Sequence, residues 1–528
     1  LRARQGARQE LDPGDVIMAL GWMDGRFARI ESTTLMILGL VEIIFSLTLL
    51  IPAAFALYYG EDPLPFLIPV PFLLAFGLVQ YSVSVQSRGF RTVNGLLLVA
   101  LVWLIIFAIC TLPYMIYGLD PMDAVFESVS GVTTTGMSVL GDLTQYPMSL
   151  LIWRSMTQWI GGITVVLIFL YFLPMVGYGR GLFANELAGS GSSEFTQRTS
   201  KAAKSFILVY LFLSLINFLL LVLAGVQLIE ALCLTFTTIS TGGLTIINSN
   251  MIGYSDVVQW ITVLFMFLGG TNFYLHFRAI YLRERHVYRR NSEFRMMVVW
   301  FIAISTVIFL FKISAQVKAG NGLDVGNLYD SFKNVLFTTV SLGTTTGYYT
   351  EDFTTWPSQC MLILMAVALI GTSSSSTSGG IKFSRLRIIF EFVKNGFRGI
   401  MHANAVYSVK MDGKSVDDSV VRSALVVFVM YMATLMIGAV IVMFYGYDMV
   451  DSFGLSISVI SNGGMGFGNF GPTGNFTDLE SSLKAILTIL MWIGRLEIVT
   501  ALILFTPGFW KDVWLNSRAR RNGKRSRS

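Results

Sequence analysis

Thr344-Thr345-Thr346-Gly347 is a run of small residues that recurs in related form at three other places in the chain. The related runs are Val132-Thr133-Thr134-Thr135-Gly136, Ile239-Ser240-Thr241-Gly242-Gly243 and Ser461-Asn462-Gly463-Gly464-Met465. Each of these four runs, called strips here and numbered in chain order, follows a short apolar segment. Each also lies between hydrophobic segments long enough to cross a membrane. The recurrence predicts four copies of one structural unit around a common axis.

The composition places the chain in a lipid bilayer. Of its 528 residues, 54% are hydrophobic and only 13% are charged, which lies outside the range of soluble globular proteins. The first hydrophobic run follows a polar, basic lead of about 30 residues, which is typical of a retained helix rather than a cleaved signal peptide. The runs that reach the roughly 20 residues of a membrane helix are 35–59, 96–117, 205–223, 294–311, 423–445 and 483–505.

The positive charges are concentrated in a few connecting segments, at 283–290, 382–398 and 518–527. Cytoplasmic loops of membrane proteins carry an excess of Lys and Arg, so these segments are predicted to be cytoplasmic, together with both termini. A basic tail is also compatible with nucleic-acid binding. Topology is the commoner cause of such a tail in a membrane protein, and no nucleic-acid partner is expected.

The chain divides into four similar units. Each unit consists of a membrane span, a short re-entrant segment that ends in a strip, and a second membrane span. Gly136, Gly242, Gly347 and Gly464 mark the repeat. Each unit crosses the membrane twice, so the four units are expected to be parallel rather than inverted. The predicted fold is an all-α membrane protein with four pseudo-symmetric repeats around one central pore. The predicted divisions are a basic lead with two extra spans (1–95), the repeats (96–177, 204–282, 295–391 and 419–507) and a cytoplasmic tail (508–528).

The strips must lie inside the protein. Lipid cannot satisfy the N–H and C=O groups of non-helical backbone, which occurs at membrane depth only where it is buried or lines water. The short runs 124–130 and 332–341 are therefore predicted pore helices. Acidic or amide residues stand at the expected starts of such helices, and N-terminal capping with compensation of the helix dipole explains them better than direct ion contact. These residues are Asp123, Glu230, Asn334 (with Asp330 one turn earlier) and Asp451.

The strips have the chemistry of a potassium filter. Potassium is bound by oxygens that replace its hydration shell, usually backbone carbonyls in a ring. Glycine readily adopts the dihedrals that aim successive carbonyls at one axis, and threonine adds a hydroxyl oxygen. Tight helix packing through small residues is the alternative. The predicted filter residues are Thr134, Thr135, Gly136, Ser240, Thr241, Gly242, Gly243, Thr345, Thr346, Gly347, Asn462, Gly463 and Gly464.

Acidic residues follow every strip, at Asp142, Asp256, Glu351-Asp352 and Asp478 with Glu480. At the outer mouth of a pore such carboxylates raise the local concentration of cations. Taken one at a time, each is also explained as a solvated loop charge.

The third unit contains a run that disfavours continuous helix, because Ser, Thr and Gly compete with or weaken helical hydrogen bonding. We predict that this run breaks the second span and projects under the filter as a gate. A polar patch buried between helices is the alternative. The predicted gate residues are Gly371, Thr372, Ser373, Ser374, Ser375, Ser376, Thr377, Ser378, Gly379 and Gly380.

Arg495 stands in the fourth unit where the first two units have Gly162 and Gly270. A charge at this depth is costly and marks a functional site by default. One interpretation is an electrostatic barrier in the pore below the filter. The other is a structural ion pair with Glu497 or Glu42.

These residues resemble the superfamily of bacterial K⁺ transporters formed by the TrkH and KtrB proteins, and its TrkH branch most closely. The resemblance covers nearly the whole chain from about residue 35 and includes the two extra N-terminal spans. Two departures are the serine-rich gate run and Gly464-Met465-Gly466, where relatives often have Gly-Pro-Gly. The motifs that carry the resemblance, besides the strips, are Gln158-Trp159-Ile160-Gly161-Gly162 leading to Leu173-Pro174-Met175, 236–243, 269–273 and 379–382.

The resemblance implies a homodimer in the bacterial inner membrane, with one pore per subunit. It also implies a cytosolic TrkA-like regulatory ring that binds ATP, ADP or NAD, since this chain has no nucleotide fingerprint of its own. Relatives with serine at the first filter glycine prefer sodium, so Gly136 favours K⁺. The expected function is gated potassium uptake, with K⁺ as the transported ion and no cofactor on this chain.

Two other classes of function were weighed. A secondary symporter that couples K⁺ or Na⁺ to H⁺ or Na⁺ by alternating access is the alternative, and the parallel arrangement of the repeats argues against it. A membrane enzyme is not expected, because the chain has no paired intramembrane carboxylates, HExxH motif or nucleophile-base set.

Overall fold

The computed structural model describes residues 32–83, 92–172, 192–318, 325–402, 408–411, 414–474 and 476–511. The predicted basic lead, most of the loop that follows the second span, Leu173-Pro174-Met175 and nearly all of the predicted tail lie outside these residues. In the described part the chain is almost entirely helical, apart from a hairpin of two-residue strands, β1 (Lys410–Met411) and β2 (Lys414–Ser415).

The N-terminal helices form a hairpin that packs through glycine. A Cβ placed on Gly39 would lie 2.6 Å from the carbonyl oxygen of Gly77, so the two backbones touch only because both residues lack side chains. Glu42 lies between them and accepts a hydrogen bond from Gln80 Nε2 at 2.9 Å. The helices are α1 (Ser32–Thr48), α2 (Leu50–Tyr59), α3 (Leu64–Leu67) and α4 (Pro69–Val83).

The first and second units each contain a long helix, a short helix that ends at a strip, and a return helix. In the first unit these are α5 (Thr92–Tyr117), α6 (Pro121–Val132) and α7 (Met148–Phe172). In the second they are α8 (Ser192–Leu223), α9 (Leu228–Ile239), α10 (Asp256–Gly269) and α11 (Phe273–Ile280), followed by the one-turn helix α12 (Val287–Arg290).

The third and fourth units repeat this order. The third contains α13 (Ser292–Lys318), α14 (Val325–Gly343), α15 (Ser358–Leu369) and α16 (Phe383–Met401). The fourth contains α17 (Asp418–Phe444), α18 (Met449–Ser461), α19 (Ser481–Arg495) and α20 (Ile498–Ile503). The short helices α6 and α14 extend beyond the runs 124–130 and 332–341 that the sequence predicts.

Three of the return spans are interrupted. The second bends by 101° between α10 and α11. The third contains a non-helical segment between α15 and α16, at the run for which the sequence predicts a break in the helix. The fourth breaks after Arg495, so the prediction of one continuous helix over 483–505 is wrong. Glu497 at this break has a φ of 57°, and a residue with a Cβ adopts a positive φ at a cost in free energy.

Six helical stretches in the described residues are long and apolar enough to cross a membrane, and the bent pair α10–α11 makes a seventh if it is one span. The short helices that end at the strips lie among these long helices. From Gly454 to Ser461 every residue of α18 is buried. Several threonine hydroxyls at these helices bond to the carbonyl four residues earlier, which satisfies them without water; Thr133 Oγ1 donates to Val129 O at 2.6 Å, and Thr339 Oγ1 donates to Val335 O at 2.7 Å.

Candidate functional site

The four strips share one unusual backbone conformation. In each strip a residue other than glycine has a φ between 53° and 56°, and a glycine two positions later also has a positive φ. Such a residue costs roughly 1–2 kcal/mol in this conformation, so the pattern does not arise by chance four times. The residue pairs are Thr134 with Gly136, Thr241 with Gly243, Thr345 with Gly347, and Asn462 with Gly464.

This pattern changes the alignment of the second strip. The counterpart of Gly136 is Gly243, not Gly242, because only Gly243 has the positive φ. The sequence has two adjacent glycines here and cannot distinguish them. With Gly243 as the reference, the acidic or amide residue predicted at each short helix stands thirteen positions before its glycine in all four units.

The glycines bring neighbouring strips into backbone contact. A Cβ placed on any of the four would lie closer than 3.0 Å to a carbonyl oxygen of another strip, a distance that real Cβ atoms do not reach. The first strip meets the second, the second the third, the third the fourth, and the fourth the first. The pairs are Gly136 with Gly242 O, Gly243 with Thr346 O, Gly347 with Gly463 O (2.8 Å), and Gly464 with Thr135 O. The strips therefore form a closed ring.

Serine hydroxyls brace three of the strips from behind. Ser130 Oγ donates to Met137 O at 2.5 Å, Ser341 Oγ donates to Tyr348 O at 2.7 Å, and Ser458 Oγ donates to Met465 O. Each serine lies six residues before the strip glycine and holds the carbonyl that follows it. The bracing is thus the same in the first, third and fourth units.

The second strip is braced differently, by Gln158 of α7. Gln158 Nε2 donates to Gly242 O at 2.8 Å, and Gln158 Oε1 accepts a hydrogen bond from Leu244 N at 3.2 Å. Thr237, which stands where the other units have serine, contacts the hydroxyl of Tyr348 instead. The motif containing Gln158 was noted in the sequence, but its contact with the second strip was not predicted.

A buried ion pair joins the segments that leave the first two strips. Glu127 of α6 and Arg154 of α7 are 0% and 3% exposed, and Arg154 Nε lies 2.7 Å from Glu127 Oε1. Glu127 also accepts hydrogen bonds from Ser138 Oγ at 2.8 Å and Val139 N at 3.1 Å. Arg154 Nη1 donates to Thr245 O at 3.0 Å. Sequence reasoning missed this pair, although two charges in apolar surroundings were the signal for it.

Asp123, Glu230 and Asp451 lie in the first turns of their short helices, as compensation of the helix dipole predicts, but none of them is the capping residue. Asp120 and Asp448 cap α6 and α18, since their side chains accept hydrogen bonds from Met122 N and Asp451 N. Asn334 is not at a helix start, because α14 begins at Val325. The predicted residues instead brace the chain after the strips or the neighbouring helix. Asp123 pairs with Lys484 Nζ (2.6 Å), Glu230 with the Tyr254 hydroxyl, Asn334 with Glu351 (2.7 Å) and Asp451 with Asn469 (2.7 Å).

The carboxylates after the strips are partly neutralised. Asp256 pairs with Lys333 at 2.6 Å, and Glu351 pairs with Lys312. Asp142 lies in the loop after the first strip and is exposed; hydrogen bonds from Asn248 and Thr144 lower its pKa to about 2. The Asn248 bond, at 2.7 Å, links the loops that follow the first and second strips. Asp142 therefore remains ionised at every physiological pH.

The predicted gate run is a compact non-helical loop over 370–382, called the gate loop here. A β-bridge between Ile370 and Ile381 closes its base. Its far part touches the strips at the ends where the short helices stop. Gly379 N donates to Thr345 Oγ1 at 2.8 Å, and Thr377 Oγ1 lies 3.1 Å from Ile239 O.

The tip of the gate loop is held by the bend in the second return span. The bend exposes the carbonyls of Gly269 and Gly270, which accept hydrogen bonds from Thr377 N at 3.3 Å and Ser373 N at 3.2 Å. On the other side of the bend, Phe273 N donates to Ser375 O at 3.2 Å. The break in the second unit thus supplies the groups that hold the loop of the third.

Arg495 is 4% exposed and lies against the gate loop, where its Nη1 donates to Thr377 O at 3.0 Å. Its candidate ion-pair partners are engaged elsewhere. Glu497 bonds to Arg385 Nη2 at 2.6 Å, and Glu42 bonds to Gln80. The interpretation of Arg495 as the ion-pair partner of Glu497 or Glu42 is therefore wrong. Among the described residues no group accepts a hydrogen bond from its Nε or Nη2.

A second cation, Lys382, holds the next carbonyl of the gate loop. Its Nζ donates to Ser378 O, adjacent to the Thr377 carbonyl that Arg495 holds. Two positive side chains therefore bond to consecutive carbonyls of the loop segment that touches the strips. The sequence analysis identified Arg495 but not this role of Lys382.

Comparisons with known proteins agree over nearly the whole chain. The family model described as TrkH, cation transport protein, matches residues 68–511. The Trk system potassium uptake protein TrkH of Escherichia coli (strain K12) is 31% identical over 492 residues, covering 90% of this chain and 98% of that protein. The protein TrkG of the same strain is 30% identical, covering 90% and 97%. The crystal structure of the potassium transporter TrkH from Vibrio parahaemolyticus matches with a TM-score of 0.81 at 29% identity, covering 91% and 99%.

Proposed function

The chain belongs to the TrkH family of cation transport proteins, and on that premise we propose that it carries potassium ions across the cell membrane through a pore lined by the four strips. Its relatives are named as transport proteins, which agrees with the expectation that it is not an enzyme. The observation that carries the proposal is the closed ring, in which each strip glycine stands against a carbonyl of the adjacent strip.

The ring has the properties that potassium selection needs. Its oxygens are uncharged carbonyls and hydroxyls, which suit a large monovalent cation better than a divalent one. The serine, glutamine and Glu127–Arg154 contacts hold the strips from behind, so the ring resists collapse onto a smaller ion. In the proposed orientation the strips lead outwards to the loops that contain Asp142 and Glu351, and the gate loop lies on the cytoplasmic side.

We propose that the present position of the gate loop is the closed state of the gate. The gate loop lies against the inner ends of the strips, and Arg495 and Lys382 stand beside it. A guanidinium close to the ion path opposes the passage of K⁺ by electrostatic repulsion. The pore opens when the loop leaves the carbonyls of Gly269 and Gly270. Removing residues 372–378 takes away the loop's contacts with these two carbonyls and is expected to make the pore leaky.

The proposed assembly is a homodimer in the bacterial inner membrane, with one pore per subunit and both termini in the cytoplasm. A cytosolic TrkA-like ring that binds ATP, ADP or NAD would regulate it. The family relationship supports this assembly. The exposed arginines of the connector between α11 and α13 support the orientation, because cytoplasmic loops are rich in positive charge.

The experiment exchanges one strip glycine for serine. Gly136→Ser places a side chain against Gly242 O in the left-handed region (φ 87°) and is expected to lower the K⁺ over Na⁺ preference by at least about tenfold, or ~1.4 kcal/mol. Uptake of both ions is measured in cells that lack their own K⁺ transport. Gly396→Ser is the matched control, because a Cβ there meets nothing within 4 Å. Equal K⁺ preference in the two variants would contradict the proposed filter.

A further inference from the structure

The residue with positive φ in each strip has an oxygen-bearing side chain. The four residues have φ values of 53° to 56° and are each at most 1% exposed. They stand at the same position of a closed ring, two residues before the strip glycine. They are Thr134, Thr241, Thr345 and Asn462.

The gate loop engages two of these four side chains. Thr345 Oγ1 accepts a hydrogen bond from Gly379 N at 2.8 Å, and Thr241 Oγ1 lies 3.2 Å from Thr377 Oγ1. Gly379 is also pressed against the fourth strip, because a Cβ there would overlap Ser461 O. The loop therefore reaches the second, third and fourth strips and bonds to the oxygens of the second and third.

The other two side chains each have an oxygen without a partner among the described residues, Thr134 Oγ1 and Asn462 Oδ1. The orientation of the Asn462 amide is fixed, since its Nδ2 donates to Thr135 Oγ1 at 2.9 Å and to Met491 O at 3.0 Å. A flipped amide would place its oxygen against the Met491 carbonyl. A buried acceptor without a protein partner needs an explanation, and a bound water or ion is one.

We propose that a K⁺ ion and the gate loop compete for these four side-chain oxygens, which stand at the inner end of the proposed filter. The inference rests on the proposed potassium pore. All four ligands are uncharged, which fits a monovalent cation that has lost part of its water. When the loop is seated, Thr345 Oγ1 accepts from Gly379 N and the Thr241 hydroxyl contacts Thr377 Oγ1, so the loop engages two of the four side chains.

The competition makes ion occupancy a control of the gate. An ion at the site draws the oxygens of Thr241 and Thr345 away from the loop and loosens it. By linkage, a seated loop lowers the affinity of the site for K⁺ by the same factor as K⁺ lowers the population of the seated loop. A rise in K⁺ at this end of the pore then favours opening.

The test follows the exchange of backbone amide hydrogens in peptides covering 371–380 of the purified full-length protein. K⁺ is compared with N-methylglucamine, a cation too large for the site, at equal ionic strength. In the wild type, K⁺ is expected to accelerate exchange. Thr345→Val removes the acceptor of Gly379 N, so exchange without K⁺ should be about fivefold faster, the effect of one net hydrogen bond.

Thr134→Val is the matched variant, because it makes the same chemical change at the equivalent position of the strip that the loop does not bond. Its exchange without K⁺ stays at the wild-type rate, and its response to K⁺ is reduced. Thr345→Ser keeps the oxygen and restores wild-type exchange, which separates the lost hydrogen bond from a general loss of folding.

Two results would overturn the proposal: no effect of K⁺ on the loop in a protein that transports K⁺, or the same behaviour in Thr134→Val and Thr345→Val. Failure of the proposed function has a different signature. A wild-type protein that moves no K⁺, but whose loop still responds to K⁺ and loses that response in Thr134→Val, would refute the pore and leave the cation site in place.

Discussion

The buried pair between Glu127 and Arg154 offers the sharpest energetic prediction. Glu127→Gln keeps the shape of the side chain but leaves the guanidinium of Arg154 buried without a carboxylate partner, although its hydrogen bond to the neutral carbonyl of Thr245 remains. Removing one partner of a buried ion pair costs about 3–5 kcal/mol, because the other charge stays out of water. Glu127 also loses acceptor strength towards Ser138 and Val139, so the chain after the first strip loosens.

The assay is thermal unfolding of the purified protein, combined with K⁺ and Na⁺ uptake. Glu284→Gln is the matched control, because its pair with Arg278 has the same chemistry but is largely exposed (42% and 34%), where ion pairs contribute little. The double variant Glu127→Leu with Arg154→Met should recover most of the stability, since no buried charge remains. A Glu127→Gln protein as stable and as selective as Glu284→Gln would refute the reasoning.

Two further predictions concern the ring and the barrier. Gly243→Ala should reduce K⁺ uptake more than tenfold, because it adds both left-handed strain of about 1–2 kcal/mol and a clash with Thr346 O. The control is Gly225→Ala, which is also at positive φ (93°) but in open space and therefore reports the strain alone. Equal K⁺ uptake by the two variants would contradict the ring. Arg495→Gln should raise K⁺ flux by roughly thirtyfold. The repulsion between the ion and a unit charge, taken as about 8 Å apart at an effective dielectric constant near 20, is ~2 kcal/mol. Unchanged flux in reconstituted vesicles would exclude the barrier.

Much of the site could be predicted from the sequence, because its features repeat. Four strips at equivalent places predicted short buried helices before them, and the run 371–380 predicted a break in the third return span. The strip residues are brought together in one ring, and the run between α15 and α16 lies against it. Local composition was sufficient here, since Ser, Thr and Gly disfavour continuous helix wherever they cluster.

The remaining features depend on contacts between distant segments. The choice between Gly242 and Gly243 is decided by φ, which two adjacent glycines do not reveal. Arg495, Leu496 and Glu497 at the break in the fourth return span are themselves good helix formers, so their propensities do not predict a break there. Gln158 acts on a strip more than eighty residues away, and no local pattern identifies such a partner.

The central claim, that the four strips form a potassium filter, is tested most directly by the reversal potential of the purified protein in a planar bilayer with K⁺ on one side and Na⁺ on the other. The wild type should give stepwise single-channel currents that reverse near the K⁺ equilibrium potential, and Gly136→Ser should shift the reversal towards zero. Currents without K⁺ preference, or a reversal potential that Gly136→Ser leaves unchanged, would contradict the account.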